Sequence, residues 1–74
     1  MIKEMIKVGQ IYRNKYFPNI KIVITQENLA GFNIIYTDGS VKKSVKVDEF
    51  DGSWIFKAEY PTWQEAVNSK EFNE

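Results

Sequence analysis

The run Ile20-Lys-Ile-Val-Ile-Thr-Gln-Glu places Ile20, Ile22 and Ile24 on one side of an extended chain and Lys21, Val23 and Thr25 on the other. That period of two commits the segment to a β-strand with at least one buried face. The same rhythm recurs in short pieces. Gly9 permits a bend or bulge before a strand at about 10–13, and Asn14 to Asn19 form a loop in which Pro18 has no backbone donor to give a sheet. The long strand at about 20–27 is followed by one at 32–37, with Phe32, Ile34 and Tyr36 together. Asp38-Gly39 is a strong hairpin signal and leads into a strand at 41–47, with Val41, Val45 and Val47 on one face.

Asp48 to Gly52 reads as a further turn with Phe50 tucked under it, and 53–60 as a last strand on which Trp54, Phe56, Ala58 and Tyr60 alternate with Ile55, Lys57 and Glu59. Beyond Pro61, Thr62-Trp-Gln-Glu fits a capping box, so a helix is predicted over about 63–69. Its apolar stripe holds Trp63, Ala66 and Val67. Phe72 falls opposite that stripe, which implies that the helix ends or re-aims near Asn68-Ser69. The fold class that follows is mainly β: one domain over 1–74, either a small SH3-like barrel or a bent five-stranded antiparallel sheet, with one C-terminal helix. Val23 and Ile35 stand apart from the main inward face. They are either a self-association patch, closed by a homodimer, or the seat of the terminal helix.

Residues 74 in number leave room for one small core. Without Cys or His there is no thiolate nucleophile, disulfide, imidazole shuttle or Cys/His zinc site. No phosphate-cradling glycine loop or serine elbow is present. The densest carboxylate group, Asp48, Glu49 and Asp51, lacks the spacing of a calcium loop and reads as a solvated turn. The expectation is therefore a non-enzymatic protein with no cofactor. No apolar run reaches the ~20 residues of a membrane span, and Met1-Ile-Lys-Glu-Met-Ile-Lys is too charged for a signal-peptide core, so a cytoplasmic location is expected.

Ten cationic and ten anionic side chains cancel, but not evenly along the chain. Residues 1–47 hold eight cations against three anions, whereas residues 48–74 hold two cations against seven anions. If folding gathers the late anions, Asp48, Glu49, Asp51, Glu59, Glu65, Glu71 and Glu74 form one acidic face, with Trp63 and Phe72 as exposed anchors beside it. Such a face would meet a basic partner through complementary potentials. The alternative surface is basic: Arg13, Lys15, Lys21, Lys42, Lys43 and Lys46 with Tyr16 would offer phosphate contacts and a stacking ring to nucleic acid, Tyr12 and Phe17 being either further stacking rings or core.

Lys7-Val-Gly-Gln-Ile-Tyr-Arg, the hairpin across Asp38-Gly39 and the Asp48-Glu-Phe turn before a last strand resemble the layout of SH3-like barrels. The ending Pro61-Thr-Trp-Gln-Glu-Ala-Val-Asn-Ser-Lys-Glu-Phe is similar to the terminal helices of small phage and prophage proteins. That resemblance implies a phage-derived inhibitor that occupies the basic, DNA-binding surface of a host nucleic-acid-handling protein. A structural accessory of a phage assembly is the further alternative.

Overall fold

The computed structural model describes residues 3–50 and 52–74. After a 3-10 turn at Lys3–Met5, five strands follow: β1 (Gln10–Asn14), β2 (Lys21–Asn28), β3 (Gly31–Tyr36), β4 (Val41–Val45) and β5 (Trp54–Glu59). A second 3-10 turn, Val47–Phe50, separates β4 from β5. Two short helices, α1 (Trp63–Val67) and α2 (Lys70–Asn73), close the chain. The strands form one open antiparallel sheet in the order β4-β3-β2-β1-β5. The first four make a meander, and β5 returns to the free side of β1.

Alternation on the central strands feeds two cores on opposite faces of the sheet. Tyr12, Ile22, Ile24, Phe32, Ile34 and Val45 face one side, where Ile6 and Phe50 cover them. Ile11 and Val23 face the other, where Ala66 and Phe72 cover them and Ile35, Trp63 and Val67 pack alongside. Val23 and Ile35 are thus the seat of the helices, not an open patch. Phe50 does tuck under its turn, against the rings of Tyr12 and Phe32.

The helix predicted over 63–69 is two helices. Thr62 caps the first, its hydroxyl accepting from the Glu65 amide at 3.2 Å. Ser69 caps the second: its hydroxyl accepts from the Phe72 amide at 3.3 Å and donates to the Ala66 carbonyl at 2.6 Å. The break at Asn68-Ser69 turns Phe72 inward.

Three strand faces differ from the sequence pattern, two of them because an irregularity inserts a residue into the ladder. Between β1 and β5 the register shifts, so that Ile11 opposes Ala58 but Tyr12 opposes Phe56. Trp54 therefore packs on the first core, Ala58 and Tyr60 on the second, and Phe56 is half exposed. Between β3 and β4 a shift separates Val41 from Val45, with Ser44 at φ 57° and its amide held by the Asn33 side-chain oxygen at 3.1 Å. Val45 is buried and Val41 exposed. Ile20, expected inside with Ile22 and Ile24, lies before β2 begins and is part of the loop.

Two glycines separate fit from conformation. Gly9 has φ 95° and a Cβ there would overlap the Tyr60 carbonyl oxygen, whose residue donates its own amide to the Gly9 carbonyl at 3.0 Å. Gly39, in the hairpin turn, has φ 87° with open space around it. Gly39→Ala should lower stability by about 1 kcal/mol, the ordinary cost of a left-handed alanine. Gly9→Ala should lose clearly more, because backbone must also move, and urea unfolding of the two variants measures the difference.

Candidate interaction surfaces

The sequence-predicted acidic residues do not assemble into one face. Asp48 and Glu49 belong to the 3-10 turn that carries Phe50 into the first core, whereas Glu65 and Glu71 ride on helices that cover the opposite side of the sheet, and Glu74 caps the second of them. Glu59 pairs across from Gln10 on β1, on the side of the first core. Asp51 lies outside the described residues. The reason is the double cladding of the sheet: consecutive acidic segments are sent to opposite faces.

Cations are also interleaved with these anions. Glu49 accepts from Lys42 Nζ at 3.3 Å and from the Lys46 amide at 3.0 Å, which hold its carboxyl below the usual range, the Lys46 amide most. Glu74 meets Lys70 at 3.7 Å. Glu71 accepts from the Tyr60 hydroxyl; that bond lowers the carboxyl and raises the phenol, and Lys57 and Lys70 add their charge to the lowering. Of the two anchors proposed beside the acidic face, Trp63 is half buried against the second core. Phe72 is only 2% exposed, so it is a core residue and presents nothing to a partner.

The basic set is dispersed as well. Lys21 is buried and its ammonium donates to the Glu74 carbonyl at 2.7 Å. The Lys42 ammonium is paired with Glu49, and Lys43 and Lys46 are exposed on edge strand β4 and just after it. Arg13, Lys15 and Tyr16 lie together at the far end of β1, three strands away from β4.

That end of β1 carries a built surface. Tyr16 and Phe17 are 67% and 64% exposed, and Ile20 is partly exposed beside them. Phe17, which the sequence left open between core and surface, is on the surface. The loop is held by hydrogen bonds: the Asn14 side-chain oxygen accepts from the Tyr16 and Phe17 amides at 2.9 and 3.0 Å. The Ile20 amide donates to the Phe17 carbonyl at 2.8 Å, the Asn14 amide to the Ile20 carbonyl at 2.8 Å, and the Lys15 amide to the Ser53 carbonyl at 2.7 Å. Lys15 Nζ lies 5.8 Å from the Tyr16 ring centroid. Nearby, Ile20, Tyr36 and the Asp38 turn line a shallow depression.

A second surface, missed by sequence reasoning, lies at the other end of β1. Met5, Gln10, Tyr12 and Phe56 line an open cleft of about 230 Å³. The buried Gln10 is its polar centre. Its oxygen accepts from the Lys7 amide at 2.9 Å and the Tyr12 hydroxyl at 2.7 Å, while its amide donates to the Met5 carbonyl at 2.9 Å and to Glu59 at 3.0 Å. The signal was Phe56, whose exposure depends on a bulge that periodicity does not show. Leu29, fully exposed at the β2–β3 turn, stands apart from both surfaces.

Among the described residues no helix is long and apolar enough to cross a membrane. Comparison of the chain with protein-family models, curated proteins and solved structures finds no match.

Two measurements test these placements. Phe72→Ala should destabilise the protein by about 3–5 kcal/mol, the range for removing a buried ring, in contrast to the ~0.5 kcal/mol of a surface anchor. The Tyr12 phenol is pushed up to about 12, first by burial and then by the Glu59 charge. The folded state thus keeps this proton to higher pH than the unfolded chain. Its contribution is complete below pH ~10 and is lost as pH climbs to about 12, amounting to about 2–3 kcal/mol. Tyr12→Phe should remove that part of the alkaline decline in urea melts.

Proposed function

We propose that the chain is a non-enzymatic binding protein that docks a partner protein through the loop at residues 15–20. The observation that carries this reading is a pair of aromatic side chains, about two-thirds exposed, on a loop already fixed by three backbone hydrogen bonds and two to the Asn14 side chain. Ordering a loop on association is unfavourable, and a loop ordered beforehand avoids that loss. Tyrosine is also among the residues most often responsible for interface affinity. Ile20 extends the apolar area, and Lys15 gives it a charged rim.

A protein partner fits better than nucleic acid because the lysines do not make a continuous track. A host protein that handles nucleic acid, the partner implied by the resemblance, would on this reading be met by aromatic contacts, not by a continuous acidic face. The SH3-like layout belongs to the same proposal: a meander, a 3-10 turn and a last strand returning to β1 support it.

The test is the double variant Tyr16→Ala, Phe17→Ala. Its stability should stay within about 0.5–1 kcal/mol of the parent, since both rings are already in solvent. Crosslinking capture of a partner should fall at least about tenfold, the loss expected of an aromatic hot spot. A partner held equally by both proteins overturns the loop assignment. A single-stranded oligonucleotide that binds through the loop, with log affinity falling linearly in log salt, would replace the protein partner by nucleic acid.

A further inference from the structure

We propose that the cleft between Met5, Tyr12 and Phe56 receives a lysine or arginine side chain of a partner polypeptide, whose cationic head pairs with Glu59. This assignment is independent of the loop, because it rests on a different set of residues at the opposite end of β1.

Size sets the class of occupant. At about 230 Å³ the cleft lies below the roughly 300 Å³ at which sites for drug-sized ligands begin, and it suits one long side chain. Its walls are apolar. The Phe56 ring is 52% exposed and stands edge-on to Tyr12, at 77° with 5.9 Å between centroids. Met5 forms the facing wall. Methylenes of a long cationic stem bury well on such surfaces while the charged head stays at the rim.

Charge selects the head group. Glu59 accepts one hydrogen bond, from the Gln10 amide, and among the described residues no cation pairs with it. Lys57 directs its charge to Glu71, on the helix side. The Glu59 charge is felt at the floor of the cleft, where it helps to hold the proton on Tyr12. Gln10 cannot rotate to answer an incoming ligand, because all of its polar capacity is committed to Met5, Lys7, Tyr12 and Glu59. The cleft is thus an apolar slot whose polar centre, Gln10, is hydrogen-bonded to an exposed carboxylate. A neutral aliphatic chain would gain the walls but not the pairing.

The probe is the peptide acetyl-Gly-Lys-Gly-amide, compared with the same peptide carrying norleucine in place of lysine. Binding is read from NMR shifts of the Gln10 side-chain amide and the Phe56 ring in the full chain. The lysine peptide should bind about fivefold more tightly than the norleucine peptide, the ratio expected of one partly exposed ion pair. Glu59→Gln, which still accepts from Gln10, should bring the two peptides to equal affinity without changing the melt. Phe56→Ala, at a half-exposed position, should weaken both. Equal affinity of the two peptides for the parent protein, a lysine preference that survives Glu59→Gln, or no shift at either reporter at millimolar peptide would each overturn the proposal.

Discussion

Ile11 and Tyr12 are neighbours on β1, and both are buried, in different cores. Successive strand residues point to opposite faces, so a central strand that is apolar on both must be covered twice. The chain meets this demand with Ile6 and the Phe50 turn on one face and two short helices on the other. Most large apolar side chains of β1 and β2 are consumed in the process. What is left for recognition sits where the cover ends: the loop after β1, the half-exposed Phe56 and the rim of the sheet. The same constraint divides the charges, because each covering segment brings its own carboxylates. A sequence split sharply into basic and acidic parts therefore folds with its acidic segments on opposite faces of the sheet.

Elements whose cause is local were legible in the sequence. The strands, the Asp38-Gly39 hairpin, the burial of Phe50, the Thr62 cap and the interruption near Ser69 each follow from a few adjacent residues. What was not legible follows from single-residue insertions in the ladder. One extra residue between Tyr12 and Ile11 on the β5 side reverses the faces of Trp54 and Ala58, and a similar shift at Ser44 parts Val41 from Val45. Strand periodicity carries no mark of such a slip, since one residue of offset exchanges every side chain between faces. Phe72 was misplaced for the converse reason. The helix break was foreseen, but its consequence, a ring swung under the sheet, depends on the direction of re-entry.

The candidate surfaces show the same divide. Tyr16 was singled out among stacking residues and is exposed, but the anchoring of its loop is a tertiary fact: Asn14 must sit at the end of a strand with its side chain turned back along the chain. Gln10 likewise reads as an ordinary polar residue. Only the closure of β5 onto β1 brings Glu59 within reach of its amide and leaves Phe56 to form a wall.

Asn14 and Gln10 are the last and first residues of β1, and each uses a side-chain amide to saturate backbone groups around a surface that faces solvent. The Gln10 amide, buried with all its bonds made, is rigid because releasing any partner strands a polar group, and the Asn14 oxygen holds two amides of its loop in place. The two surfaces are therefore fixed by the same strand whose middle residues anchor both cores. Four residues of strand set Gln10 and Asn14 about 13 Å apart. A standard interface, about 800 Å² on each partner, spans that distance. On the two proposals, a single partner would meet the aromatic loop and the Met5–Phe56 cleft together, its apolar and cationic groups spaced by the length of β1.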